Sequence, residues 1–146
     1  TRAMLVTVLY RLEGQPAVNG RSGFSDVQYN GYYEDAVTWA ADNGIVNGTS
    51  TTTFSPNANV TREQMAAILY RYAQHKKYNT AASSSLNGFT DHASVSGYAA
   101  ASLEWAVAEK LVNGNAGKLM PTGNATRAQV AAILHRFVEN VAKTTK

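Results

Sequence analysis

An all-α fold of tandem helix-loop-helix repeats is predicted by three features of this 146-residue chain. The phrase Thr-Arg recurs at Thr1-Arg2, Thr61-Arg62 and Thr126-Arg127, each time opening an apolar pattern that closes on an arginine, at Arg11, Arg71 and Arg136. The apolar residues in those patterns fall at helical spacing. A second set of landmarks precedes the last two phrases in fixed register, with Asp26 and Asp91, like Arg62 and Arg127, lying 65 residues apart. Three equivalent helices that cannot bury their stripes alone are expected to pack as a three-helix bundle about a pseudo-threefold axis, with helix-loop-helix arms projecting from it.

The elements follow in order. Thr1 is an N-cap for a helix whose stripe is Leu5, Val8, Leu9 and Leu12. Met4 lacks the carbonyl of Glu or Gln, so the capping box is expected to fail in this copy. Gly14 to Gly23 is a linker. Tyr33, Ala36, Val37, Ala40 and Ala41 set a second helix over Tyr33 to Asn43, ended by Gly44. The Thr-, Ser- and Asn-rich stretch from Gly48 to Asn59 is a loop with a short extended piece at Thr53-Phe54. Thr61 and Gln64 form a capping box, Val60 and Met65 a hydrophobic staple, and Met65, Ile68, Leu69 and Tyr72 the third stripe. Gln74 to Asn87, with Lys76-Lys77 and Ser83-Ser84-Ser85, is a linker. The fourth helix runs from about Tyr98 to Lys110, and Gly114 to Asn124 repeats the loop. Thr126 and Gln129 repeat the box, followed by Val130, Ile133, Leu134 and Phe137. Truncating Ile68 or Ile133 to Ala is expected to cost on the order of 2–5 kcal/mol. The chain thus divides into a terminal helix of a first repeat (1–14), a second repeat (24–74), a linker (75–88) and a third repeat (89–141).

Composition narrows the function classes. With 45% hydrophobic and 16% charged residues the chain is globular in type, and its apolar runs are too interrupted to span a membrane. No signal peptide is read at Thr1-Arg2. Having no cysteine, it makes no disulfide or thiolate metal site. The net charge of +3 is dispersed, which is too little for a nucleic-acid footprint but suits an anionic polymer.

Arg2, Arg62 and Arg127 take the first helical position, where the helix dipole makes a cation unfavourable unless an anion joins it. A guanidinium beside free N–H groups suits a carboxylate or phosphate ligand. An acidic side chain of the same chain, locking one repeat on the next, is the alternative partner.

In combination, Phe24-Ser25-Asp26-Val27, Trp39-Ala40, Gly44-Ile45-Val46-Asn47-Gly48, Phe54-Ser55-Pro56 and Val60-Thr61-Arg62 resemble S-layer homology repeats. The resemblance covers almost the whole chain and implies a three-pronged spindle that anchors a bacterial surface protein, outside the cell, to an anionic secondary cell-wall polysaccharide, often pyruvylated and attached to peptidoglycan. It implies no catalysis, cofactor, membrane insertion or nucleic-acid partner. The family's Thr-Arg-Ala-Glu motif falls on Thr1 to Met4, Thr61 to Gln64 and Thr126 to Gln129, with the arginine kept and the acid lost in all three. Asp26 and Asp91 match the family's acid before the first helix and serve either as turn or cap residues or as hydroxyl acceptors. Trp39 and Trp105 are core or sugar platform. Asn47-Gly48 and Asn113-Gly114 are turns whose backbone offers hydrogen bonds to a sugar. Ligand pockets are expected between an arginine helix and the arm of the next repeat, Arg2 with the second and Arg62 with the third. The first repeat's arm is expected from another chain. A protein-interaction module with inter-repeat salt bridges is the competing reading.

His75, His92 and His135 share no metal-ligand spacing. Glu34-Asp35 and the pair Glu104 and Glu109 look like solvated helix positions rather than a glycosidase pair. Asn47, Asn59 and Asn124 head glycosylation-type triplets, two of whose threonines are already used as caps.

Overall fold

The computed structural model describes residues 1–18, 23–27, 33–50, 52–114 and 117–142. They form five α-helices with short 3-10 and π segments and no strand, so the fold is all-α. The helices are α1 (Arg2–Leu12), α2 (Glu34–Asp42), α3 (Arg62–His75), α4 (Ala100–Ala108) and α5 (Arg127–Phe137). No ladder forms at Thr53-Phe54; among the described residues Thr61 and Asn124 form an isolated antiparallel bridge. Part of the Gly14 to Gly23 linker lies outside the described residues.

The chain divides into two compact units, Thr1–Asn59 and Val60–Lys146. The boundary falls inside the second sequence repeat, between its loop and its second helix. In the first unit α1 packs on α2, so the helix of one repeat is joined to the arm of the next. Tyr10 lies 5.6 Å from Trp39 between ring centroids, and Phe24 lies 5.6 Å from Phe54. In the second unit α3 packs on α4 in the same way, with Tyr70 5.3 Å from Trp105. Phe137 closes that core from α5, at 5.9 Å from Tyr72 and 6.4 Å from Trp105. Ile68 and Ile133 are buried as expected.

All three capping boxes are closed. Thr61 and Thr126 accept from the amides of Gln64 and Gln129, whose Oε1 atoms take back the N-cap amides at 3.0 and 2.9 Å. The box at α1 corrects the expectation for Met4: its Sδ sits 4.0 Å from the Thr1 nitrogen, a long contact to a weak acceptor that keeps the geometry of the box. Glu34 is a second correction, being 7% exposed rather than solvated. It opens α2, where the positive end of the helix favours a carboxylate.

The helix starts are also sealed by loops. The amides of Arg2 and Ala3 donate to Ala58 and Pro56 carbonyls, and those of Arg62 and Glu63 donate to Gly123 and Pro121 carbonyls. Donors that an isolated helix leaves unpaired are thereby satisfied by the following repeat. Glu63 adds a link within the second unit. Only 4% exposed, it accepts from the Ser96 amide at 3.0 Å, the Ser96 hydroxyl at 2.6 Å and the Tyr98 hydroxyl at 3.3 Å, tying α3 to the 3-10 turn (Gly97–Ala99) before α4.

Candidate functional site

The second unit contains a cleft of about 430 Å³. Arg62 of α3 forms one part, residues 111–114 with 119–120 a second, and Ala128, Gln129, Ala132, Ile133 and Arg136 of α5 a third. The α5 residues recur at helical spacing on one face, and the two alanines leave room there. Arg62 is half-buried; its Nη2 donates to Gln129 Oε1 at 2.8 Å and its Nη1 to the Met120 carbonyl at 3.4 Å. Gln129 therefore both caps α5 and orients the guanidinium. Its amide is neutral, so the arginine is aimed without being discharged. Gly123 leaves room for it, since a Cβ there would stand 2.5 Å from Arg62 Nη1 and push the guanidinium aside. Among the described residues the lining holds no carboxylate.

The loop is set by Asp91. Its two oxygens accept from the amides of Leu119 and Met120, both at 2.8 Å. Met120 is held there at φ 51°, in the left-handed region that costs a non-glycine residue of order 1 kcal/mol. The hydrogen bond from Leu119 leads in holding the carboxyl below the usual aspartate range, against desolvation and with help from the Met120 amide, its own amide and Lys118. Asp26 repeats the device in the first unit, accepting from Phe54 and Ser55 at 2.8 Å each, with Ser55 at φ 59°. There desolvation is the largest influence and raises the pKa. It is outweighed by the Phe54, Ser55 and Asp26 amides and the Arg2 charge, which together bring it below the usual range. Each aspartate thus pins a loop 28 residues further along, a longer reach than the expected local turn or cap.

Arg2 is the equivalent of Arg62 but is used differently. It is 6% exposed, donates from Nε to the Phe54 carbonyl at 2.8 Å and from Nη2 to the Asn47 carbonyl at 2.9 Å, and stacks 4.6 Å over the Phe54 ring. Its guanidinium is built into its own unit, so the expectation of an open ligand arginine gives way to a packing role. Arg127 is exposed and, among the described residues, its side chain makes no hydrogen bond or ion pair.

Trp39 and Trp105, 5% and 1% exposed, are covered by Tyr10 and Tyr70 and present no face to a sugar. The platform expectation is corrected to a core one, and the indole N–H of Trp105 is buried without a partner among the described residues. Asn47 and Asn113 are exposed beside their glycines. Those glycines admit a close approach, but of the chain itself. A Cβ on Gly48 would run into the Thr53 carbonyl and the Phe24 ring, and one on Gly114 would meet the Phe89 ring at 2.7 Å. Gly114 also stands at φ 78°. Asn113 and Gly114 line the cleft with Arg62, while Arg127 does not. Arg136, which does line it, carried a signal in the sequence: the repeated arginine that closes each stripe.

These features define a helical repeat module whose prominent cleft is lined by cationic and neutral side chains. The S-layer homology domain family matches residues 23–66 and 88–131, more than half of the chain, and the protein belongs to that family. Its members are noncatalytic modules that anchor S-layer and other surface proteins to the bacterial cell wall. The chain is 34% identical over 99% of its length to a surface-layer 125 kDa protein of Lysinibacillus sphaericus. It is 33% identical over 95% to an amylopullulanase of Thermoanaerobacterium thermosulfurigenes, and 32% over 97% to an endoglucanase of Bacillus sp. (strain KSM-635). It spans 12%, 8% and 15% of those relatives. Among the described residues no helix is long and apolar enough to cross a membrane.

Proposed function

We propose that the cleft beside Arg62 binds an acidic sugar of a secondary cell-wall polysaccharide, with Arg62 holding the anion and Asn113 and Gly114 meeting hydroxyls. The observation that carries this reading is the Arg62 guanidinium, oriented by a neutral amide in a cleft without carboxylates. Asp91 contributes by fixing the loop, and its unused lone pairs remain able to accept a hydroxyl. Asp26, Asn47 and Gly48 stand in the corresponding loop of the first unit, where the buried Arg2 leaves recognition to the exposed Asn47. A pyruvylated sugar fits the same chemistry, since it carries a carboxylate.

Arg127 and the start of α5 have a separate role in this reading. The starts of α1 and α3 are each covered by a proline-containing loop, whereas the exposed Arg127, third of the repeated arginines, is a further anion contact for the same polymer.

Binding to purified cell-wall sacculi, before and after removal of the secondary polymer, tests the cleft. Arg62→Ala is expected to lower affinity at least tenfold, the scale of one charge-assisted pair, with an unchanged melting temperature. Wild-type affinity in that variant would overturn the assignment and favour the protein-interaction reading.

A further inference from the structure

We propose that Arg136 is a second anion contact in the Arg62 cleft, so that the preferred ligand carries negative charges on separate sugar residues. The inference rests on the reading of the cleft as a saccharide site. Arg136 is half-buried in the last turn of α5 and lines the cleft. Its Nη1 reaches the Leu111 carbonyl at 3.3 Å, whereas Arg62 Nη1 reaches the Met120 carbonyl. The two guanidiniums therefore engage different carbonyls, nine residues apart in sequence. Gln129, which holds Arg62, precedes Arg136 by seven residues, roughly 10 Å along the helix axis. With each arginine held at its own carbonyl, an anion on Arg62 leaves the Arg136 donors for a second charge. Each guanidinium has five N–H donors and spends at most two on the contacts described, and neither has a carboxylate partner among the described residues. Between them the wall is small and apolar, formed by Ala132 and Ile133.

The competing explanation is that Arg136 merely complements the negative end of α5. Salt dependence separates the two, because each ionic contact to a polyanion adds to the sensitivity of binding to salt, while a helix-end charge acts on stability. The full chain carrying Arg136→Gln, which keeps a donor for the Leu111 carbonyl, is titrated with sacculi at low and at physiological salt. About tenfold weaker binding at low salt, a shallower salt dependence and an unchanged melting temperature are expected. Arg136→Lys should retain the wild-type salt dependence. Sacculi stripped of phosphodiester-linked polymers, and sacculi with reduced carboxyl groups, distinguish the two sources of anion: the wild-type chain should bind one of these preparations no more tightly than R136Q binds untreated sacculi. Wild-type affinity and salt dependence in R136Q, alongside lost binding in Arg62→Ala, would overturn the second contact and leave the first intact. Unchanged binding in Arg62→Ala would instead remove the reading on which both stand.

Discussion

At the scale of single residues, the aspartates show how one side chain decides a loop. Asp91 holds the Leu119 and Met120 amides, and its pKa is lowered in the folded state. Its stabilisation is accordingly present above the unfolded pKa, near pH 4, and is lost as pH falls through the folded value. Melting temperature should drop as pH is lowered from about 5 to about 3. The drop should be smaller in Asp91→Asn, which starts lower because its amide accepts only one of the two bonds well; an identical pH profile in the variant would argue against this role. Asp91 was legible in the sequence as a repeated acid, and its partners 28 and 29 residues away were not, because nothing local marks so long a reach. The tryptophans illustrate the opposite failure. Helical spacing identifies a large aromatic without saying which side is covered, and Tyr10 and Tyr70 settle that only in three dimensions.

At the scale of elements, helix starts were the most readable feature, since Thr-x-x-Gln encodes both halves of a reciprocal bond within four residues. Met4 and Glu34 lie outside that local code, because the Met4 sulfur stands in as a weak acceptor and the burial of Glu34 depends on elements distant in sequence. The fourth helix was expected from Tyr98, but a 3-10 turn occupies Gly97–Ala99 and α4 starts at Ala100. Glu63 helps to fix that turn. Removing it in Glu63→Ala strands the Ser96 amide and hydroxyl together, and should lower the unfolding free energy by about 2–4 kcal/mol in urea denaturation, with the m-value unchanged. A loss below half a kcal/mol would mean that water replaces the carboxylate freely.

At the scale of the whole molecule, the compact units are out of phase with the sequence repeats. Self-similarity locates a repeat by its landmarks but says nothing about which neighbour its helix joins. The fragment Val60–Lys146 keeps α3, α4, α5 and the Arg62 cleft together, and should unfold cooperatively by circular dichroism. A fragment cut at the repeat boundaries, 24–74, separates α1 from α2 and α3 from α4, and should show no cooperative transition. Comparable cooperativity in both would show that the repeat, rather than the unit, is the folding block.

The loops that seal the helix starts give the array a direction. The first helix is closed by the loop of the second repeat, and the second helix by the loop of the third. A linear series built on that rule is like a row of hooks, each caught by the next eye. Adding repeats lengthens the row but always leaves its last hook open. The asymmetry lies in the linkage itself: each loop serves the helix of the repeat before it, and never its own.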